Sequence, residues 1–313
     1  MSFMPEASNQ GAVHEDEGPD LQGALAAVAE LPRQAQDAIR EVIASAVETV
    51  GARGRDSTLA EIVQQVFTRS VKEYFTEQRQ STQLPNELLS YIRPDVRGTP
   101  LPEPGELPEV SLADALNRRR SNRNFAPDAV TRDQLSTLLH YAAGGRGTEA
   151  GYGIRDMPLF RYPSIGGLNS VDIGIVVSRV EGLRPGFYIY DPVGHRLRME
   201  DRGDMRLSLQ DVTFEAGWLF HAPLVIVLIH NQDKVSWKYK TRALRFSHVD
   251  LGAVMQNMYL VSTAMRFACC SVAGFFDDGV NDLLRLDGTR QFVSLLMGVG
   301  PLGKVFSAPA GTD

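Results

Sequence analysis

Three guanidinium groups and a hydroxyl stand within five consecutive residues, Arg119-Arg120-Ser121-Asn122-Arg123. Planar guanidinium forks grip phosphate oxygens in pairs and a serine hydroxyl fills a remaining lone pair, so the cluster suits a bound phosphate. The same residues also read as a helix that ends in cations, which favour its negative C-terminal end. Farther along, Pro163-Ser164-Ile165-Gly166-Gly167 lets backbone approach a flat ligand closely, with a serine to hydrogen-bond it; a glycine turn before a strand fits the same letters. Lys238-Tyr239 sets an ammonium beside a phenol, a pair able to move a proton. Its rival reading is a solvated basic run made of Lys234, Lys238, Lys240 and Arg242.

Composition bounds the partners. The chain has 313 residues, 43 % hydrophobic and 22 % charged, ordinary for a soluble globular protein with a sizeable core. A formal net charge of −6 argues against a nucleic-acid binder, and no apolar run approaches the ~20 residues of a membrane helix. The acidic start, Met1 to Gly23, lacks the basic and apolar regions of a signal peptide, so a cytoplasmic protein is expected. The two cysteines, Cys269 and Cys270, are adjacent and apolar in context, and read as buried free thiols. Six histidines show no ligand spacing, and no metal site is expected.

These residues need elements to position them. Residues 1–20 read as a disordered acidic leader. A helical extension over 21–92 follows, with helical periodicity over 21–31, 33–50 and 59–78. Five prolines make 93–110 a stiff extended linker. The main domain spans 111–306 with a tail over 307–313. Ser111 is a plausible N-cap with Asp114 three residues on, and Leu112, Ala115 and Leu116 give the helix an apolar face. Helices are expected over 131–143, 205–221, 248–267 and 278–286, the third so apolar that it should be mostly buried. Strands are expected over 171–180, 186–190, 224–229 and 292–299, with 269–276 a short strand or turn. Strands and helices mix without strict alternation, so α+β is preferred to a doubly wound sheet. Gly298-Val299-Gly300-Pro301-Leu302-Gly303 matches a dinucleotide fingerprint literally but has no following helix, and is rejected.

The order of motifs resembles the nitroreductase-like FMN proteins. It is carried by Arg119 to Phe125, Tyr162 to Ser170, Asp250-Leu251-Gly252 with Gln256-Asn257, and Ala273-Gly274-Phe275. Val180 to Pro192, together with Trp237-Lys238-Tyr239, is similar to the branch that holds the azoline dehydrogenases of ribosomal thiazole/oxazole peptide biosynthesis. Two positions depart from that branch: Asn169-Ser170 stands for Tyr-Pro, and Ala253 stands where histidine is common.

The resemblance implies a nitroreductase-like α+β fold, a central, mostly antiparallel sheet flanked by helices, and a homodimer with two FMN molecules at the subunit interface. It assigns Arg119 and Ser121 to phosphate and ribityl and Arg123 to the pyrimidine edge, with Arg120 among the cofactor-binding residues. Lys304 is a second phosphate cation or else a plain surface lysine. Pro163, Ser164, Ile165, Gly166, Gly167 and Asn169 run beside the ring, and Ala273-Gly274 offers backbone near N5, unless these are only small residues in a packed turn. Gln256 and Asn257 more often satisfy core polar groups and are left out of the site. Lys238 and Tyr239 become the catalytic pair of a dehydrogenase that oxidises thiazoline or oxazoline rings in a peptide, with oxygen reoxidising the flavin and a cyclodehydratase as a partner. The alternatives are an NAD(P)H-dependent nitro or quinone reductase and a non-catalytic flavin-binding partner in a peptide-modifying complex.

Overall fold

The structure, a computed structural model, describes residues 83–304. The expected leader, the helices over 21–31, 33–50 and 59–78, and the tail lie outside them. A 3₁₀ turn, Asn86–Ile92, comes first, then a short strand β1 (Thr99–Pro100) and helices α1 (Leu112–Arg118) and α2 (Arg132–Ala143). Two strands, β2 (Gly145–Gly151) and β3 (Ile154–Phe160), make a separate hairpin. There follow β4 (Val171–Val177), β5 (Gly186–Asp191), β6 (Arg196–Arg202), α3 (Arg206–Asp211), β7 (Leu224–Asn231), α4 (Asp233–Tyr239), α5 (Ala243–Ala264), β8 (Phe267–Val272), α6 (Asp277–Leu283) and β9 (Gln291–Pro301). The seven-stranded sheet has the order β1-β6-β5-β4-β7-β9-β8, and every pairing is antiparallel.

Alternation along the strands builds three layers. Leu224, Ile226 and Leu228 of β7 point to one face, where they meet Leu135, Leu138 and Leu139 of α2 and Val254, Met258 and Val261 of α5. Val225, Val227 and Ile229 point to the other face, onto Leu209 of α3 and Val280 of α6. A strand buried on both faces reads as an unbroken apolar run, which is how β7 is written. Each fully buried leucine or isoleucine contributes on the order of 2 kcal/mol of apolar burial.

Local sequence sets several boundaries. Thr131 and Gln134 form a reciprocal capping box at the start of α2. Ser111 accepts from the Asp114 amide at the start of α1, but only Ala115 of that helix is buried, and Leu112 and Leu116 lie exposed. The helix expected over 205–221 breaks: after α3 the chain turns, Thr213 bridges to Phe275, Glu215 takes a left-handed φ of 48°, and a 3₁₀ turn over Gly217–His221 ends at Pro223. β-Branched Val212 and Thr213 followed by Gly217 are poor helix formers, and the Phe214 amide donates to Gly274 O (2.9 Å) rather than to a helical carbonyl. Gly298 and Gly300 lie inside β9, packed against Trp218 and Pro223, so the literal fingerprint is a strand. Residues 93–110 turn over Asp95–Gly98, run on without helix, and are stitched to the body, with Leu101 N on His195 O and Gly105 N on Thr137 Oγ1.

Candidate functional site

The basic segment is placed by α1, β8 and α5. The α1 helix stops at Arg118, and the Asn122 amide donates to Cys269 O (2.9 Å), which lays Arg119–Arg123 along β8. Tyr259 of α5 fixes the segment: its hydroxyl oxygen lies 3.2 Å from Ser121 Oγ and 3.1 Å from Ser271 Oγ, and it accepts the Ser271 amide at 2.9 Å. The Arg119 guanidinium lies 5.4 Å from the Tyr259 ring centroid, and that of Arg123 lies 5.5 Å from the Trp218 ring. Lys304 reaches the same place from the far end of the chain, because Asn124 O accepts the Gly303 amide (2.9 Å) and Asn124 Nδ2 donates to Lys304 O (3.3 Å). Among the described residues no carboxylate pairs with Arg119, Arg123 or Lys304. Cations gathered without carboxylates suit a bound dianion. Arg120 differs, since its guanidinium turns back onto Asn117 O and Arg119 O and caps the end of α1.

Burial disfavours the thiolate of both cysteines beside this segment. Burial pushes the Cys269 thiol up to about 12, and burial raises Cys270 as well, partly offset by the Arg123 charge.

A second group of residues surrounds the loop before β4. Asp250, buried on α5, accepts from Ser164 Oγ (2.7 Å), Ser170 Oγ (2.7 Å) and the Ile165 amide (2.8 Å). Ser164 in turn accepts the Asn169 amide at 2.8 Å. Its proton is thus committed to Asp250, and Ser164 builds the loop rather than donating to a ligand. Gly166, Gly167 and Asn169 take left-handed φ values of 66°, 69° and 51°. A Cβ on Gly167 would meet nothing within 4 Å, so the loop has an open side there. Asn169 is 5 % exposed and its Oδ1 has no partner among the described residues. A buried orphan acceptor of this kind calls for a donor from outside the chain.

Lys238 and Tyr239 stand against this loop, at the end of α4 rather than on a strand or bulge. The helix is held by a buried ion pair, Lys234 on Asp172, whose other oxygen accepts from Asn231 Nδ2 at 2.6 Å. Tyr239 is buried, and its hydroxyl lies over Gly166. The Lys238 ammonium donates to the hydroxyl of Tyr152 (2.6 Å), at the tip of the hairpin. Tyr152 and Asp250 are residues that spacing does not reveal, because Asp250 meets its three donors, and Tyr152 meets Lys238, across 80 positions or more.

The two groups occupy different ends of the sheet. Val171, His230 and Phe292 form one cross-strand row; Val177, Leu224, Val299 and Cys269 form another, six residues of strand away, roughly 20 Å. The cations lie by the second row and the Ser164–Asn169 loop leads into the first. Ala273 and Gly274 follow Val272, whose row (Leu296, Val227, Gly174) runs between them.

The comparisons with known proteins agree with this architecture. Residues 116–301 match the nitroreductase family model. A protein of Methanocaldococcus jannaschii that bears the nitroreductase name is 29 % identical over 197 residues, covering 62 % of this chain and 93 % of its own length. The fold is similar to a nitroreductase-type crystal structure from Ralstonia eutropha (TM-score 0.53, 23 % identity, 72 % of this chain and 95 % of that one). It is also similar to a chain of the E. coli McbBCD microcin synthetase complex with truncated pro-MccB17 bound (TM-score 0.52, 18 % identity, 80 % of this chain and 99 % of that one). No helix among the described residues is long and apolar enough to cross a membrane. With its antiparallel sheet between two helical layers and a family match that spans the cation segment, the loop and β9, the chain belongs to the nitroreductase family of oxidoreductases, whose members usually bind flavin.

Proposed function

We propose that the protein is an FMN-dependent dehydrogenase that oxidises thiazoline or oxazoline rings in a ribosomally made peptide to azoles. The observation that carries the reading is the pairing of two features. One is a set of three cations without carboxylate partners; the other is an ammonium and a buried phenol at an open glycine loop. The residues fit the cofactor: Arg119 and Lys304 would hold its phosphate, Ser121 a neighbouring oxygen and Arg123 the pyrimidine edge, while Asn169 Oδ1 has room for a donor. Ala273 and Gly274 would lie beside the ring. FMN, when bound, supplies a two-electron acceptor. Ring oxidation breaks two C–H bonds: one hydrogen leaves as hydride, and the other leaves as a proton that the protein must take. Lys238 and Tyr239 handle that proton, the ammonium offsetting negative charge on a neighbouring oxygen as it develops. Because the sheet rows beside the cations and beside the glycine loop lie on the order of 20 Å apart in one chain, a homodimer in which a partner copy completes each site is part of the proposal. Oxygen as final acceptor, a cyclodehydratase partner and a cytoplasmic setting complete it. The likeness to a synthetase complex with a pro-peptide bound supports this substrate class.

The purified protein should absorb near about 450 nm, the oxidised-flavin band. Incubated with a cyclised peptide, it should remove two hydrogens per ring, read by mass spectrometry. A flavin-loaded protein that leaves the peptide mass unchanged but bleaches anaerobically with NADH or NADPH establishes the second reading, a nitro or quinone reductase. Asn169-Ser170, where the azoline branch carries Tyr-Pro, favours that reading. A flavin-loaded protein that neither changes the peptide mass nor bleaches with NADH or NADPH is the non-catalytic flavin-binding partner, and one that neither absorbs there nor takes up FMN refutes the flavin reading.

A further inference from the structure

We infer that Tyr152, at the tip of the β2–β3 hairpin, is the positioning residue through which Lys238 acts. The Lys238 ammonium donates to the Tyr152 oxygen at 2.6 Å and lies 4.0 Å from that ring's centroid, against 5.3 Å for the ring of its own neighbour Tyr239. The Tyr152 hydroxyl donates onward to Gly166 O at 2.6 Å. Its proton therefore points at a carbonyl, and its lone pairs face the ammonium. A Cβ built on Gly166 would have both the Tyr152 and Tyr239 hydroxyl oxygens within 3.0 Å, so two phenols and one ammonium converge on a single glycine.

The backbone adds an independent observation. Tyr152 has φ 52° and Gly153 φ 76°, both positive as in a type I′ hairpin turn. The first position of that turn favours Asn, Asp or Gly; tyrosine there is strained by on the order of 1 kcal/mol, which persists only where the surroundings impose it. They do: Trp237 meets the Tyr152 ring edge-on at 5.5 Å, and the Leu84 amide donates to Tyr152 O at 2.9 Å. A lysine has a long, flexible stem, and without an acceptor its ammonium would sweep a wide arc. The hairpin tip removes that freedom and holds the charge over the open loop.

This inference rests on the proposed role of Lys238 for its effect on turnover, but not for its effect on the amine. Trace acetylation of the full chain with acetic anhydride at pH 8, read by peptide mass spectrometry against a free amine in the same tube, reports Lys238 directly and needs no flavin. Tyr152→Phe keeps the ring and its contact with Trp237 and removes the hydroxyl, with both its acceptor for Lys238 and its bond to Gly166 O. Lys238 labelling should then rise roughly fivefold, the equivalent of one ordinary hydrogen bond, whereas Tyr239→Phe should leave it unchanged. In flavin-loaded protein, Tyr152→Phe should lower kcat at unchanged KM and flavin content. Wild-type labelling in Tyr152→Phe overturns the contact, and raised labelling with unchanged kcat overturns the positioning role. A protein that holds no flavin refutes the cofactor reading, while the labelling arm still decides this one. If Tyr152→Phe does not fold, the native chain decides: Lys238 labelled as fast as the free amine overturns the inference, and slower labelling sustains it.

Discussion

Gly166 and Gly167 share the same left-handed backbone but not the same surroundings. A side chain at Gly166 would strike the hydroxyls of Tyr239 and Tyr152, while one at Gly167 would enter open space. Left-handed strain alone costs an L-residue roughly 1–2 kcal/mol. Gly167→Ala should therefore lower Tm by about 2–8 °C. Gly166→Ala should lower it further and also displace Tyr239 and Tyr152, so that variant should lose more turnover. Equal losses in thermal denaturation and in activity would show that crowding at Gly166 does not matter. Residue types made part of this site legible beforehand. Taken alone, Arg119 to Arg123 fitted a helix that ends in cations as well as a phosphate cradle, and Lys304 entered by resemblance. Tyr152 did not show, because nothing in Ala150-Gly151-Tyr152-Gly153 marks a tyrosine that adopts a turn conformation against its preference. Arg120 looked like its neighbours, yet its guanidinium caps a helix.

At the scale of elements, α5 is the spine of the site. Asp250 organises the glycine loop, and Tyr259, nine residues on and about 14 Å along the axis, organises the cation segment. Asp250→Asn puts an NH₂ where three donors converge, so at least one donor faces another, at a cost of about 1–3 kcal/mol. Tm should fall by roughly 2–12 °C, and the loss of flavin should be seen as a colourless fraction on gel filtration. A variant that keeps both wild-type Tm and colour would mean that the loop does not depend on this carboxylate. The helix was readable because its apolar content is too high for a surface element, although it begins at Ala243 and not at His248. The α4 helix was not readable. In Asp233-Lys234-Val235-Ser236-Trp237-Lys238-Tyr239 polar and apolar residues interleave in a way that suits a basic surface run as well as a short helix. What decides it is the burial of Lys234 on Asp172, 62 positions away, a tertiary contact that no local window contains. The hairpin and β6 were missed for a like reason. Only β6's pairing with β5 and β1 defines it, and its outer residues are largely charged.

At the scale of the whole described fold, three histidines carry a pH dependence that separates them from three carboxylates. His230 is 1 % exposed, with Nε2 paired to Gln232, and burial holds its pKa below the usual value. His195, also lowered by burial, joins a chain with one consistent set of protons: Tyr190 O–H to Nδ1, Nε2–H to Ser136 Oγ, and Ser136 O–H to Pro102 O. Burial together with the Arg161 charge takes His140 down to about 4. All three are neutral in the folded protein where the unfolded chain, with histidine near 6.5, already takes up protons. The unfolded state thus binds more protons below about pH 6.5, so stability is full above that pH and declines as pH falls towards 4. Asp95, Asp204 and Asp287 have lowered values, held by arginine partners in the first two and by turn amides in the third; their contribution persists until pH drops below about 3.8. Tm measured by calorimetry should be flat between about pH 7 and 8 and fall between 6.5 and 4, before the carboxylates titrate. His195→Asn tests the assignment, because asparagine tolerates the left-handed φ of 49° at that position and cannot take up a proton. The variant should be less stable than the wild type at pH 7.5, with a shallower decline below 6.5. A decline of wild-type steepness would assign the acid sensitivity to groups other than the histidine that ties residues 100–102 to the sheet.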